Sequence, residues 1–459
     1  MAGIGFVLRK LKQQDDLISI LQGYAHSATV SMGPWLLTIL SLGTISLVGS
    51  KLTSLNDLSN FRIIIIYNFA FSLVLSGPIV WVVTRYIADL LYRKDVKEVP
   101  STMMGSLVIM FFSLIFFAAP LYLFYLNLDL NIRIAAIFNF FLIAGMWLIS
   151  VFLSSLKDYI FITVSYAVGM SLGIVSAIIL TPSYSVVGML MGFNIGLAVI
   201  VYSLIARIFT IYPCKTIKPF GFTAYFKKYW DLALSGFIYN LSIWIDKWIM
   251  WFTPERVIFD NGLISYPNYD SAMFLAYLSI VPSMALFIMV IETNFYEYYL
   301  KFYGGIQMHN TYSEIQENQK DIIKHIGESS RDFLILQGSI CIVVILLSTR
   351  IFNLLGINFL QLGIFRFGVL GSLFFIMTSF LAIILSYFDL RRVVLLIYSL
   401  FLLSNTVFTY ITMKLGFAYY GYGYFLASIV TFTIAYPLTI YYTNRLPYIA
   451  FVRNNPSVN

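Results

Sequence analysis

Charge is what this chain has least of. Only 11% of its 459 residues are Asp, Glu, Lys or Arg, against about a quarter in soluble domains, which excludes an ordinary water-facing globular surface. Two cysteines, Cys214 and Cys341, form no motif and exclude a disulfide framework. The three histidines, His26, His309 and His325, do not make a metal-ligand spacing. There is no glycine-rich phosphate loop ending in Lys-Ser or Lys-Thr, so ATP hydrolysis by this chain is not expected. The early Gly-Ile-Gly neither follows a strand nor completes a dinucleotide fingerprint. No cleavable leader is expected either, because residues 1–14 mix Arg9, Lys10 and Lys12 among apolar residues and lack an apolar run. Asn240-Leu-Ser fits a glycosylation pattern but lies in an apolar stretch.

What the chain has is apolar length. Hydrophobic residues make up 60% of it, and mean hydropathy is +0.85. Crossing a bilayer takes about 20 mostly apolar residues in a helix, and about twelve such runs follow one another. The expected spans are 27–49, 62–88, 102–126, 132–155, 159–180, 186–210, 229–252, 272–300, 332–355, 364–387, 393–415 and 420–443. An all-α polytopic membrane protein follows. Its expected divisions are an amphipathic N-terminal helix (1–24), a six-helix bundle (25–210), a linker (211–228), a second six-helix bundle (229–452) and a tail (453–459). Ile4, Leu8 and Leu11 give the N-terminal segment an apolar side for the headgroup plane. Most of the 29 Lys and Arg residues fall in one set of alternate loops. That asymmetry places both termini in the cytoplasm and accounts for the net charge of +8 without nucleic acid. The 254–270 loop is then external and the polar 304–331 segment cytoplasmic, where Ile315, Ile322 and Ile326 share one helical face. Two groups of six spans starting on the same side make parallel repeats, a transporter plan.

A charge within a span costs about 2.5–3.5 kcal/mol at its centre, so it faces protein or water. Asp246 and Lys247 lie in the seventh span, about 100° apart on a helix, and are not expected simply to neutralise one another. Trp244, Trp248 and Trp251 share a face bordering Lys247, and Asp246 lies nearly opposite, with Tyr239. One of these faces lines a polar pathway, or else the tryptophans form an outer aromatic belt while Lys247 snorkels. Arg85 and Glu292 end the second and eighth spans at equivalent depth and are expected to meet in an inner gate. The alternative for Arg85 is a local pair with Asp89, four residues on. Pro34, Pro78, Pro120 and Pro282 interrupt or border spans, and Pro34 and Pro78, each after a glycine, are candidate bends lining a cavity.

Several blocks resemble the PelG family, inner-membrane transporters of bacterial Pel exopolysaccharide systems. They are MAGIGFVLRKL at the start, SMGPWLLTILSL (31–42), SGPIVWVVTRYIADLLY (76–92), NLSIWIDKWIMWF (240–252), IETNFYEYYLKFY (291–303), SYFDLRR (386–392) and YYGYGYFLAS (419–428). The resemblance implies a fold similar to the MOP/MATE-like flippases, with two six-helix bundles around a cavity lined by the first, second, seventh and eighth spans. It implies a polysaccharide translocator supporting biofilm matrix formation, with no catalysis and no cofactor. It also implies a PelF-like cytoplasmic glycosyltransferase and PelD- and PelE-like membrane partners. The implied cargo is an N-acetylhexosamine-rich polymer deacetylated only after export. A neutral acetylated chain needs stacking surfaces more than counter-charge, which makes Tyr24, Tyr239, Trp244 and Trp248 candidate platforms. A flippase for lipid-linked sugars, a membrane enzyme and a non-transporting scaffold for the synthase are the competing readings. The first should carry deep Arg and Lys clusters, and few candidates exist beyond Lys247 and Arg62.

Overall fold

The computed structural model describes residues 17–155, 158–212, 218–289 and 295–453, with side chains from Met32 to Val452 apart from those of residues 285, 286, 288 and 289. It is 88% helical. The helices are α1 (Leu17–Leu52), α2 (Leu55–Tyr92), α3 (Val99–Ala119), α4 (Leu130–Ser155), α5 (Tyr159–Ile211), α6 (Thr223–Lys228), α7 (Trp230–Met250), α8 (Pro267–Leu278), α9 (Val281–Met289), α10 (Tyr296–Gln307), α11 (Tyr312–Leu355), α12 (Leu362–Tyr387), α13 (Arg391–Leu415) and α14 (Tyr422–Thr443). A two-stranded antiparallel hairpin pairs β1 (Val257–Ile258) with β2 (Ile264–Ser265).

Among the described residues nine helices are long and apolar enough to cross a membrane. The count differs from about twelve for physical reasons. The 53-residue α5 is two limbs joined at Ser185, whose φ of 45° and ψ of −120° break the helix. Its limbs pack with almost no separation: a Cβ on Gly192 would lie 2.3 Å from the Ala177 Cα, and one on Gly196 would lie 2.6 Å from the Gly169 carbonyl oxygen. Small residues every fourth position let helix backbones touch in this way. α7 carries Asp231, Asn240, Asp246 and Lys247 among its buried residues. The eighth span is interrupted at Ser279–Ile280, between α8 and α9.

By contacts the chain forms two compact units, Met32–Tyr266 and Met1–Ser31 with Pro267–Asn459. The sequence division at 211–228 follows the repeat of six spans; the contacts group α7 and the hairpin with the preceding helices. In the Met32–Tyr266 unit the interior is built on α2 and α4, where Ile64, Val82, Val83, Ile143 and Leu148 are fully buried. α3 instead exposes Val108, Phe112, Ile115 and Phe116 at helical spacing, a stripe that suits lipid tails. It ends in a π-turn, Pro120–Tyr125. Arg133 then donates to the carbonyls of Leu123, Leu126 and Leu128 at 3.0–3.3 Å, satisfying backbone that the turn leaves without helical partners.

In the other unit, α11 starts at a capping box of Thr311 and Glu314 and ends at left-handed Gly356. Its 44 residues rise roughly 66 Å, about twice a hydrocarbon core. The segment expected as a separate 304–331 stretch therefore takes in the last turn of α10 and the first half of a continuous α11, while α10 itself begins inside the expected 272–300 span. The expected apolar face is present, with Ile315, Ile322 and Ile326 all buried. Further along, the sense inverts: Ile335, Ile342 and Leu346 point outward and are exposed. That inversion marks where α11 passes from a watery to a lipid surround.

Candidate functional site

The second and seventh spans meet where both backbones are bare. On α2, a Cβ at Gly77 would lie 2.6 Å from the carbonyl oxygen of Gly236 on α7, and the converse distance is also 2.6 Å. One turn before Pro78, the Leu73 carbonyl accepts a hydrogen bond from Asn240 Nδ2 at 2.8 Å. Pro78 supplies no N–H, so the Val74 carbonyl next to Leu73 lacks its helical donor. Pro78 and Pro34 nevertheless lie inside continuous helices.

The aromatic residues of α7 run along this crossing. Trp248 stacks on Phe71 at 4.6 Å between centroids, and Trp251 stacks on Tyr67 at 4.7 Å. These two indoles therefore pack helix against helix rather than forming an outer belt. Tyr239 lies 5.9 Å from Trp81 in a tilted contact. Trp244 is half-buried, with Lys247 Nζ 5.9 Å from its ring centre.

The structure corrects one expectation. Asp246 and Lys247 do pair: Nζ lies 3.2 Å from each carboxylate oxygen and 2.9 Å from the Ile243 carbonyl. The angle between neighbouring Cβ atoms is as expected, but the four-carbon lysine stem swings its ammonium back around the helix. Asp246 is fully buried and Lys247 is 7% exposed, so each charge is held by the other in a dry surround.

At the Tyr92 end of α2, Arg85 Nε sits 3.4 Å from Asp89 Oδ1, with its guanidinium 5.3 Å from the Tyr229 ring centre. This is the local pair. Asp89 Oδ2 also accepts from the Tyr225 hydroxyl at 3.0 Å. Burial and that bond push the Tyr225 phenol above its ordinary value. The neighbouring Tyr86 hydroxyl donates to Glu98 at 2.9 Å, and Phe222 is fully buried. The described end of the linker is thus docked on α2. Glu292 lies outside the described residues, as does the side chain of Tyr24.

Two features were not expected from the sequence. Asn68, Asn139 and Asn194 form a buried chain joining α2, α4 and α5: Asn68 donates to Asn139 at 2.8 Å, and Asn139 to Asn194 at 2.7 Å. Tyr122 donates to Asn68, and the outer amides end on the Ala135 and Ala136 carbonyls. Three asparagines inside apolar spans were the available signal; attention to formal charge passes them over. Second, the hairpin is tied down on the Leu55 end of α2. Asn56 donates to Asp260 at 3.0 Å, Asn261 to Asn60 at 3.2 Å, and the Tyr67 hydroxyl to the Ile264 carbonyl at 2.8 Å. Its turn-rich composition was legible, but its partners were not.

Residues 1–451 match the family model PelG, described as "Putative exopolysaccharide Exporter (EPS-E)". No curated protein matches the chain. Solved structures share its fold at low identity. A MATE transporter in complex with MaL6 aligns with TM-score 0.63 at 13% identity, covering 98% of this chain and 100% of that one. A MOP-superfamily transporter from Pyrococcus furiosus, whose binding pocket is described as having reverse polarity, gives 0.62 at 13%, covering 93% and 96%. The outward-facing form of a multidrug-resistance MATE transporter gives 0.59 at 14%, covering 98% and 99%. The fold is that of the MATE/MOP transporters, a multi-pass membrane architecture.

Proposed function

The chain belongs to the PelG family of exopolysaccharide exporters, and from that premise we propose that it carries a nascent N-acetylhexosamine-rich polymer of the Pel type across the bacterial cytoplasmic membrane. A cytoplasmic, PelF-like glycosyltransferase extends the polymer at one face, with PelD- and PelE-like membrane partners, and the exported chain builds biofilm matrix. Both termini lie in the cytoplasm in this proposal, as the sorting of Lys and Arg requires.

The observation that carries the reading is the family match over residues 1–451. The charge distribution supports a neutral cargo. Of the two cations singled out in the sequence, Lys247 is buried and matched by Asp246, and Arg62 is exposed and donates to Ser46 Oγ at 3.2 Å. A lipid pyrophosphate headgroup would call for clustered cations. Aromatic rings instead suit sugar faces, and Trp81, Tyr239 and Trp244 are half-buried along the α2–α7 crossing.

Reconstitution with the synthase in sealed vesicles tests the proposal. Polymer is expected in the lumen only when this protein is present. Equal lumenal polymer without it would remove the transport function, and collapsing the ion gradients in the same vesicles separates coupled from synthesis-driven movement.

A further inference from the structure

α10 carries five aromatic residues, and they divide into two faces. Tyr298 and Phe302 point to α11: Tyr298 lies 4.9 Å from the His325 ring, and Phe302 is fully buried. Tyr296, Tyr299 and Tyr303 fall within about 60° of one another on an adjoining face, centred about 110° away. Their rings form a row, with Tyr296 and Tyr299 nearly parallel at 6.4 Å and Tyr299 and Tyr303 at 4.8 Å. Tyr387, at the end of α12, joins the row 5.6 Å from Tyr299, and buried Phe388 backs it at 6.0 Å. All four tyrosines are half-buried, with part of each ring accessible.

On its α11 side this row has polar surroundings. α10 packs on the polar half of α11, where Lys301 pairs with Asp321 at 2.9 Å, and a Cβ on Gly305 would lie 3.3 Å from the Asn318 amide. The same half of α11 bears Glu314, Glu317, Lys320, Lys324 and Glu328, which hydrocarbon would not admit. α10 is thus flanked by charged side chains of α11, and the four clustered, half-buried tyrosines leave apolar area uncovered. At its Tyr303 end, Asp389 sits in a left-handed turn with φ of 55° and pairs with Arg391 at 3.1 Å. Burial, with the neighbouring Tyr299 and Asp389, pushes the Tyr303 phenol up to about 12, so its hydroxyl stays a donor at any physiological pH.

Aromatic rings at successive heights, with Tyr303 and Tyr387 inclined 48° and 69° to Tyr299 and flanked by a carboxylate and a guanidinium, present both faces and edges to the apolar faces and polar edges of an acetylated sugar chain. We propose that Tyr296, Tyr299, Tyr303 and Tyr387 form a stacking platform that holds the acetylated hexosamine polymer outside the membrane, on the side of α10. The platform rests on the exopolysaccharide-transport reading and adds a site to it. The seven helical steps from Tyr296 to Tyr303 span roughly 10 Å, enough for more than one sugar ring to lie along the row.

The test uses the full-length protein in lipid nanodiscs and a tetramer of N-acetylglucosamine as probe, with affinity read by calorimetry. The triple variant Tyr296→Leu, Tyr299→Leu, Tyr303→Leu keeps apolar bulk without flat rings and is expected to bind about tenfold more weakly. The matching Phe triple is expected to stay within about threefold of the native protein. Should the Leu triple fail to fold, Tyr296→Leu alone serves, since Tyr296 ends the row. The platform is overturned if the native protein does not bind the probe, if the Leu variant binds as well as native, or if the Phe variant loses as much as the Leu variant. Vesicles containing the synthase separate the two ideas. Native protein filling the lumen while the Leu variant binds normally removes the platform and leaves transport; an empty lumen with native protein removes transport itself.

Discussion

Lys247 follows Asp246 directly, and a helical-wheel projection sends the two apart because it tracks Cβ directions rather than where a flexible ammonium can reach. Their burial together sets a clear expectation. Removing one partner of a buried pair strands the other charge and costs about 3–5 kcal/mol, whereas removing both is often close to neutral. Asp246→Asn and Lys247→Met should therefore each lower the thermal midpoint of the detergent-solubilised protein strongly. The double variant should recover most of the loss. A double variant as unstable as the singles would show that each residue holds to the rest of the protein more than to its neighbour. If stability returns in the double variant but transport does not, the pair serves the cargo path as well as the fold. The Arg85–Asp89 pair is different in kind. At 39% and 24% side-chain exposure the ion pair itself contributes at most about 1 kcal/mol, and the guanidinium also lies over the Tyr229 ring.

The meeting of α2 with α7 is a contact between two backbones, and it puts glycine under a measurable constraint. Gly77→Ala drives a methyl to 2.6 Å from the Gly236 carbonyl, and neither rigid helix can yield, so overpacking should cost about 1–3 kcal/mol. Gly43 on α1 is the control, because nothing lies within 4 Å of its added Cβ. There the same substitution should be neutral or gain up to about 1 kcal/mol from helix propensity. Thermal midpoints of the two variants should move in opposite directions; a shared fall would place the cost in the loss of glycine itself. At this scale the sequence was informative wherever one element decides its own behaviour. The spacing of Ile315, Ile322 and Ile326 named a buried face correctly, and the i,i+4 spacing of Arg85 and Asp89 named their pair. It was silent wherever two distant elements decide together. Nothing near Asn139 says that Asn68 and Asn194 will flank it, and nothing in the 254–270 loop says that Asn56, Asn60 and Tyr67 will receive it.

Across the molecule, hydropathy and charge sorting were enough for an all-helical, multi-pass transporter, because a bilayer imposes those patterns on every span independently. The number of spans was harder to read for the same reason. A polar seventh helix, a broken eighth and a hairpin at Ser185 each depart from a uniform apolar run. The long α11 has a consequence of this wider kind. Its first half is apolar on the side that faces protein, and its second half is apolar on the side that faces away, so the helix carries two surfaces locked in one rotational phase. Each inserted residue turns everything beyond it by about 100°. Adding one or two alanines near Gly327 should twist the Ile315 face out of register with the span and reduce export sharply. Adding four, which brings the rotation back to within about 40°, should restore much of it. Export that fell steadily with insert length, with no recovery at four, would mean that only the reach of α11 matters and that its rotational phase does not.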